Sequence, residues 1–459
     1  MTFHTGPIIA LPAFLFCLLL FSCSPKSGIM RSRDAVRTSS PEGPSETSKR
    51  VMGEPVAARV SGGPIRLFSR GGSREALEAD SVSGDLSSAL SSRSLELLKG
   101  SSSSWACSLL SRALETTGKD NVAISPVSLE MVLGMILGGA DDAGKQEILG
   151  FLGFRNAGKD EVGAYHHDLL SALNAFSGDA LKIRLANALW TQTGFAVRKE
   201  YLQEAQTFYD ATVEQLDFAG DAPASVRRIN AWGSEATEGL IPGVIGSIPS
   251  STRMILANAT YLKADWESPF DEKRTHKDVF HKADGSDLKT DFMSQTLRTQ
   301  YAVGDGYSAL RLPYVGRDLA MTLVLPDEGK DVSAMTGLLN PSAIPFKSGR
   351  VQVEMPKFTF SFSRDLTADL KAMGINRVFS DGSLPLIAPE IGVSQVFQSD
   401  FLEVDETGTK AAAVTIGMVS MTSLQEDPVR IRLDRPFLFC ISSLKSGCIL
   451  MMGRVSEPR

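Results

Sequence analysis

Apolar residues recur at helical spacing through Trp105, Leu109, Leu110 and Ala113, behind a serine-rich stretch suited to capping a helix. Residues 128–137 and 145–152 keep that period and predict two further helices, with Gly138 and Gly139 as the break between them. Residues 93–99 are compatible with a short helix ahead of these. Beyond them the pattern changes. Residues 181–191 and 253–262 read as core strands, and residues 320–325, 351–354, 429–433, 438–442 and 449–455 as later strands. Helices first, mixed elements next and a strand-rich last third predict an α+β fold rather than a repeating βαβ sheet. No internal repeat is present.

The N-terminal segment has a different texture. Residues 8–22 form an apolar run broken by Pro12, too short to span a bilayer as a helix and placed like the core of an export signal. No Lys or Arg precedes it in residues 1–7. Leu20-Phe21-Ser22-Cys23 resembles a bacterial lipoprotein cleavage site, which would make Cys23 the lipidated first residue and the membrane a partner through that anchor. An ordinary secretory cut near Ser22 is the other reading. Either way residues 1–22 are expected to stand outside the fold, and the mature chain to be exported to the extracellular space or the cell surface. Residues 23–92 are rich in Ser, Gly, Pro and Arg and read as a tether. As a flexible coil of about 70 residues it would reach on the order of 45 Å. The globular domain is expected at residues 93–459.

Composition adds limits rather than detail. The chain of 459 residues is 43% hydrophobic and 22% charged with net charge −6, and its charges are mixed, so nothing marks nucleic acid or a polyanion as partner. Of five cysteines, Cys107, Cys440 and Cys448 remain after Cys17 and Cys23, with no C-x-x-C and no zinc spacing. Cys440 and Cys448 flank a turn at 442–447 and could face each other; two buried free thiols are the alternative. The histidines form no catalytic or metal constellation: His166 and His167 are adjacent and hence on different faces, and His276 and His281 fit surface strand ends. There is no Gly-x-Ser-x-Gly, P-loop or dinucleotide fingerprint. No cofactor, no metal and no catalytic residue is expected.

One stretch does not behave like a surface loop. Residues 403–424 read EVDETGTKAAAVTIGMVSMTSL; no charge falls between Ala411 and Gln425, and no proline between Glu390 and Asp427. Loops of this length usually carry such residues. The absence of proline permits full ladder pairing in a sheet interior. Thr409, Ala411, Ala413 and Thr415 would put small side chains on one face of an extended strand. Taken alone, this pattern equally describes a plain buried strand or an aggregation-prone edge.

ETGTKAAA at 406–413 is similar to the hinge of the serpin family, and other segments agree in order from about Trp105 to Pro458. They are NVAISPVSL at 121–129, LANALW at 185–190, INAWGSEATEGLI at 229–241, LANATYLKADWESPF at 256–270, LPY at 312–314, LPDEG at 325–329, PKF at 356–358, RPFLFCI at 435–441 and MGRV at 452–455. The resemblance implies a fold of three β-sheets, eight to nine helices and an exposed reactive loop. It implies a metastable monomer that inhibits serine endopeptidases irreversibly as a suicide substrate: the peptidase cuts the loop, forms an acyl-enzyme, and is distorted when the loop inserts into the central sheet. At about 1 kcal/mol net per hydrogen bond, a fully paired new strand would make that step large and one-way.

By the same resemblance the hinge comprises Glu406, Gly408, Thr409, Lys410, Ala411, Ala412 and Ala413. The reactive bond falls at Met421, Thr422 or Ser423, with the neighbourhood of Leu424 a further option. Met, Thr and Leu suit apolar pockets and point to elastase- or chymotrypsin-like targets rather than trypsin-like ones. Ser125, Ser128 and Asn258 match the shutter beneath the sheet. Gln398 stands where many members carry His, and Trp266 matches the tryptophan at the breach where insertion starts. Residues 159–173 are not basic, so no heparin site is expected. A non-inhibitory binding serpin, or an inhibitor of papain-like cysteine peptidases, are the other functions considered; the small residues at Thr409 and Ala411 to Ala413 favour insertion over the first of these.

Overall fold

The computed structural model describes residues 13–22, 85–101, 103–118, 120–238, 245–409 and 427–459, and its two N- and C-terminal parts, 13–22 and 85–459, belong to one compact unit. Cys23, the tether up to residue 84, and the loop residues Lys410, Ala411, Ala412, Ala413, Met421, Thr422 and Ser423 lie outside the described residues. Among the described residues, no helix is long and apolar enough to cross a membrane.

Strand β1 (Ala13–Ser22) is followed by helices α1 (Leu86–Ala89), α2 (Ser92–Gly100) and α3 (Ser104–Thr117), strand β2 (Val122–Ile124), and helices α4 (Pro126–Gly139), α5 (Asp142–Leu152) and α6 (Lys159–Asn174). Next come β3 (Leu181–Gln192), α7 (Lys199–Tyr209), β4 (Thr212–Leu216), α8 (Ala222–Ala236) and β5 (Thr252–Asp265). A run of strands follows: β6 (His276–His281), β7 (Asp287–Gly304), β8 (Tyr307–Pro313), β9 (Leu319–Pro326), β10 (Lys347–Pro356) and β11 (Phe358–Asp365). Helix α9 (Thr367–Ala372) precedes β12 (Gly392–Val404), β13 (Gly408–Thr409), β14 (Val429–Arg432), β15 (Phe437–Ser443) and β16 (Ile449–Val455).

The central sheet runs β11-β12-β1-β5-β3-β4, with β13 also paired to β5. The second sheet runs β14-β10-β7-β8-β9-β15-β16-β2, with β6 on β7. Its two halves are joined through β7, which pairs with β6 and β10 over most of its length and with β8 only from Tyr301 to Gly304. Two of the three sheets implied by the family resemblance are thus hydrogen-bonded into one continuous sheet.

Helix α4 is buried along its whole length, which accounts for a segment with no polar face. Ser125 caps it and Pro126 occupies its first turn, where the missing N–H costs nothing. Gly138 and Gly139 do not break the chain, contrary to expectation; they are the last turn of α4. A Cβ at Gly138 would meet the Glu204 carboxylate, and one at Gly139 the Ile387 side chain, so the glycines permit close packing. The break falls at Ala140 and Asp141, where Asp141 caps α5 by accepting from Gly144 N at 2.9 Å.

Helix α1, ahead of the boundary expected at residue 93, already packs on the globular body. Leu86 is fully buried, and its N–H donates to Asp318 Oδ2 at 2.9 Å. Lys445 Nζ reaches Asp85 at 2.8 Å, so α1 is tied to the C-terminal hairpin. That hairpin leaves Cys440 opposite Met452, and Cys107, Cys440 and Cys448 are free and buried.

The larger difference lies at β1. Residues 13–22 were expected outside the fold, yet they form the strand between β12 and β5, antiparallel to both. A long apolar run without charge pairs well on both edges once the sheet offers two lips.

Candidate functional site: hinge and slot of the central sheet

Since β5 and β12 both run opposite to β1, they are parallel to each other and form the two lips of a slot one strand wide. Helix α8 packs on one face of β5, where Ile255, Ala257 and Ala259 join Trp190 and Trp232 in an apolar cluster. On the other face lies the N-terminus of α4, and there the contacts are polar.

Ser128 Oγ donates to Asn258 Oδ1 of β5 at 2.7 Å. Asn258 Nδ2 donates to Asn187 Oδ1 of β3 at 2.8 Å, and Asn187 Nδ2 to Tyr209 O at 2.8 Å. Thr260 Oγ1 adds a bond to Asn258 Oδ1 at 3.1 Å. From the other lip, Gln398 Nε2 of β12 donates to Ser125 O at 2.8 Å, while Ser125 Oγ donates to Leu450 O at 2.7 Å. The start of α4 therefore holds both lips. Ser125, Ser128, Asn258 and Gln398, matched separately from sequence, come together here. Asn187 completes the set; it sits in the LANALW segment but was not singled out, because nothing in its own neighbourhood says what it faces.

Among the described residues the two lips are not equally satisfied. Gln398 Oε1 has no hydrogen-bond partner there, and two residues along β12 both carboxylate oxygens of buried Asp400 also lack one. Burial alone pushes the Asp400 carboxyl well above its ordinary value. Unpaired buried polar groups cost about 1–3 kcal/mol each, so β12 is the weaker lip.

At the top of the slot the chain turns from β12 into β13. Asp405 Oδ1 accepts from Thr407 N at 2.9 Å, Thr407 Oγ1 at 2.6 Å and Gly408 N at 3.2 Å, closing a tight turn. Gly408 has φ of 152°, and a Cβ there would collide with the backbone of Ala264 and Asp265. Only glycine lets the chain approach β5 so closely. Thr409 is fully buried, pairs with Ala264, and its hydroxyl lies 3.0 Å from that of Tyr314. Tyr314 stacks on Trp266 with ring centroids 4.6 Å apart and planes 7° from parallel. Trp266 Nε1 donates to Asp405 O at 3.0 Å, and Trp266 N to Thr407 O at 2.8 Å.

Glu406 is anchored as firmly. Its carboxylate accepts from Thr275 Oγ1 at 2.7 Å and pairs with Lys357 Nζ at 2.8 Å. Burial works to raise its pKa, but the bonds from Lys357 and Thr275 outweigh it and hold the carboxyl below its ordinary value. Across the turn, burial lifts Asp265 to about 6, opposed by Lys263 and reinforced by Asp405. Glu406, Gly408, Thr409 and Trp266 thus converge, and Lys357 and Tyr314 join them from the PKF and LPY segments.

A family profile described as Serpin (serine protease inhibitor) matches residues 101–458. Serpin-ZX of Arabidopsis thaliana is 32% identical over 363 residues, 74% of this chain and 92% of that protein. Neuroserpin of Rattus norvegicus is 31% identical over 364 residues, 75% of this chain and 88% of that protein. Among solved structures, human thyroxine-binding globulin complexed with its hormone is similar with a TM-score of 0.71 and 26% identity, over 80% of this chain and 99% of that one. Arabidopsis AtSerpin1 in its native stressed conformation is similar with a TM-score of 0.68 and 28% identity, over 82% of this chain and 99% of that one.

Proposed function

Because this chain belongs to the serpin family, whose members are mostly inhibitors rather than enzymes, we propose that it traps serine endopeptidases by loop cleavage and insertion into the central sheet. The observation that carries this reading is the register of β13. Thr409 faces Ala264 and Gly408 faces Asp265. Continuing that register down β5 would set Ala411 opposite Leu262, Ala413 opposite Thr260 and Thr415 opposite Asn258. Directly opposed residues of paired strands share a face. The small side chains would therefore all meet the α4 side, where Asn258 and Ser128 already fill the space.

The drive is ladder pairing and burial that an exposed loop lacks. Two antiparallel pairings would replace one parallel contact between the lips, and the antiparallel ladder is slightly the more stable per residue. Insertion would race deacylation of the acyl-enzyme. Cleavage near Met421, Thr422 or Ser423 suits elastase- and chymotrypsin-like enzymes. Export with a lipid on Cys23 is part of the same reading, and a Cys23→Ser chain that lost labelled palmitate and membrane association would support it.

The test is incubation with pancreatic and neutrophil elastase, chymotrypsin, subtilisin and papain. SDS-stable adducts with the serine enzymes are expected, and sequencing the released C-terminal peptide identifies the bond. Adducts with papain would extend the target class to cysteine peptidases. Cleavage of the loop by every enzyme with no adduct would sink the trapping mechanism. It would favour a non-inhibitory binding protein, the reading to which the likeness to thyroxine-binding globulin lends support.

A further inference from the structure

We propose that Ala13–Ser22 is a self-supplied filling strand, which keeps a chain that retains it in a closed, non-trapping state. The pairing is specific in register. Along β5, Ala13 faces Leu262, Asn258 faces Cys17 and Met254 faces Phe21; along β12, Phe14 faces Phe401, Leu18 faces Phe397 and Ser22 faces Gly392. Both edges of the segment are engaged, so its backbone is satisfied by two antiparallel ladders.

The place it takes is the place the loop would need. With Thr409 opposite Ala264, continuation of β13 would set Ala411 at Leu262 and Val419 at Met254. Those are the positions held by Ala13 and Phe21. Only Lys263 separates the end of β13 from the start of β1 on the β5 ladder. Two strands cannot pair with the same lips in the same register, so occupancy by β1 excludes insertion. A peptidase that cut the loop of such a molecule would deacylate and leave.

The segment also suits the task chemically. It has neither charge nor proline from Ala13 to Ser22, so each of its N–H groups is free to pair and no charge enters the sheet interior. Removal of residues 1–22 would return the lips to a parallel contact and open the slot. The same processing step that releases the mature chain would arm it, and a copy retained before processing would be inert toward peptidases around it. This regulatory consequence rests on the trapping mechanism; the strand pairing does not.

Hydrogen exchange on the full chain and on its Leu18→Pro variant tests the idea. Proline at position 18 removes a ladder donor facing β12 or β5. The expected result is slow exchange at amides 14–21 of the full chain, a lower Tm for the variant, and SDS-stable adduct with a responsive peptidase raised about tenfold in the variant. Equal adduct from both, or amides 14–21 exchanging as fast as an open chain, would overturn the proposal. If neither form captures any peptidase, the trapping mechanism is what fails. The strand is then judged by exchange and Tm alone: protection at 14–21 upholds it, and its absence removes it. A variant that fails to fold leaves exchange on the unmodified chain to decide.

Discussion

The hydroxyl of Thr409 lies 3.0 Å from that of Tyr314, both residues fully buried, at the point where the chain leaves β12 and begins to pair with β5. The hinge is thus seated before any peptidase arrives. A long cation cannot occupy the Thr409 site without breaking that seat and leaving a charge buried. Thr409→Arg should divert most molecules from adduct to cleaved substrate, read as the ratio of the two on SDS gels. An unchanged ratio would count against insertion starting here.

Gly408 should be the least replaceable hinge residue. Any Cβ meets the backbone of Ala264 and Asp265, which cannot move without disturbing the end of β5. Gly408→Val is expected to lift the turn, lower stability by about 1–3 kcal/mol, and expose residues 403–409 to limited proteolysis. Urea titration and mapping of the nicked sites would check both effects.

The polar network under the slot predicts an asymmetry between the lips. Asn258→Ala strands the Ser128 hydroxyl and one side of Asn187, both buried, at about 1–3 kcal/mol for each unsatisfied group. Gln398→Ala removes one made bond together with an oxygen that has no partner among the described residues, so its cost should be smaller, about 1 kcal/mol. Urea midpoints of the two variants compare them directly; a costlier Gln398 substitution would mean that β12 is the firmer lip.

Two carboxyls should pull stability in opposite directions with pH. Asp400 is held above its ordinary 3.8 by burial, so the folded state binds its proton more tightly than the unfolded chain does. Its contribution is whole below pH about 4 and is lost as pH rises toward the raised value. Asp400→Asn should therefore flatten the fall in stability as pH rises above about 4. Glu406 is held below its ordinary 4.5, so its contribution is present above that value and is lost on further acidification. Glu406→Gln should remove that acid-side loss while lowering stability at neutral pH, because Lys357 then faces a neutral amide. Denaturant titrations across the pH range separate the two.

Much of the architecture was legible because period and composition act locally. Six of the seven strand segments read from sequence lie wholly in strands, 429–433 overruns β14 by Leu433 alone, and residues 449–455 coincide with β16. Gly138 and Gly139 misled for the same reason: a local rule makes paired glycines a break, whereas Glu204 and Ile387, distant in sequence, require them inside α4. The site was legible residue by residue only through resemblance. Tyr314, Lys357 and Asn187 carry no local mark of their roles, since each acquires one only from a partner brought up by the sheet.

The sequence by itself determined the α+β texture, the small, uncharged and proline-free stretch after Gly408, and the apolar run before Cys23, since each is a property of neighbouring residues. The tertiary structure alone decided which strands border one another, hence that β5 and β12 are parallel lips, that α4 holds both, and that Ala13–Ser22 lies between them. Strand pairing is a long-range choice: any uncharged extended segment can satisfy an open ladder, and only the assembled sheet offers the edges that select one.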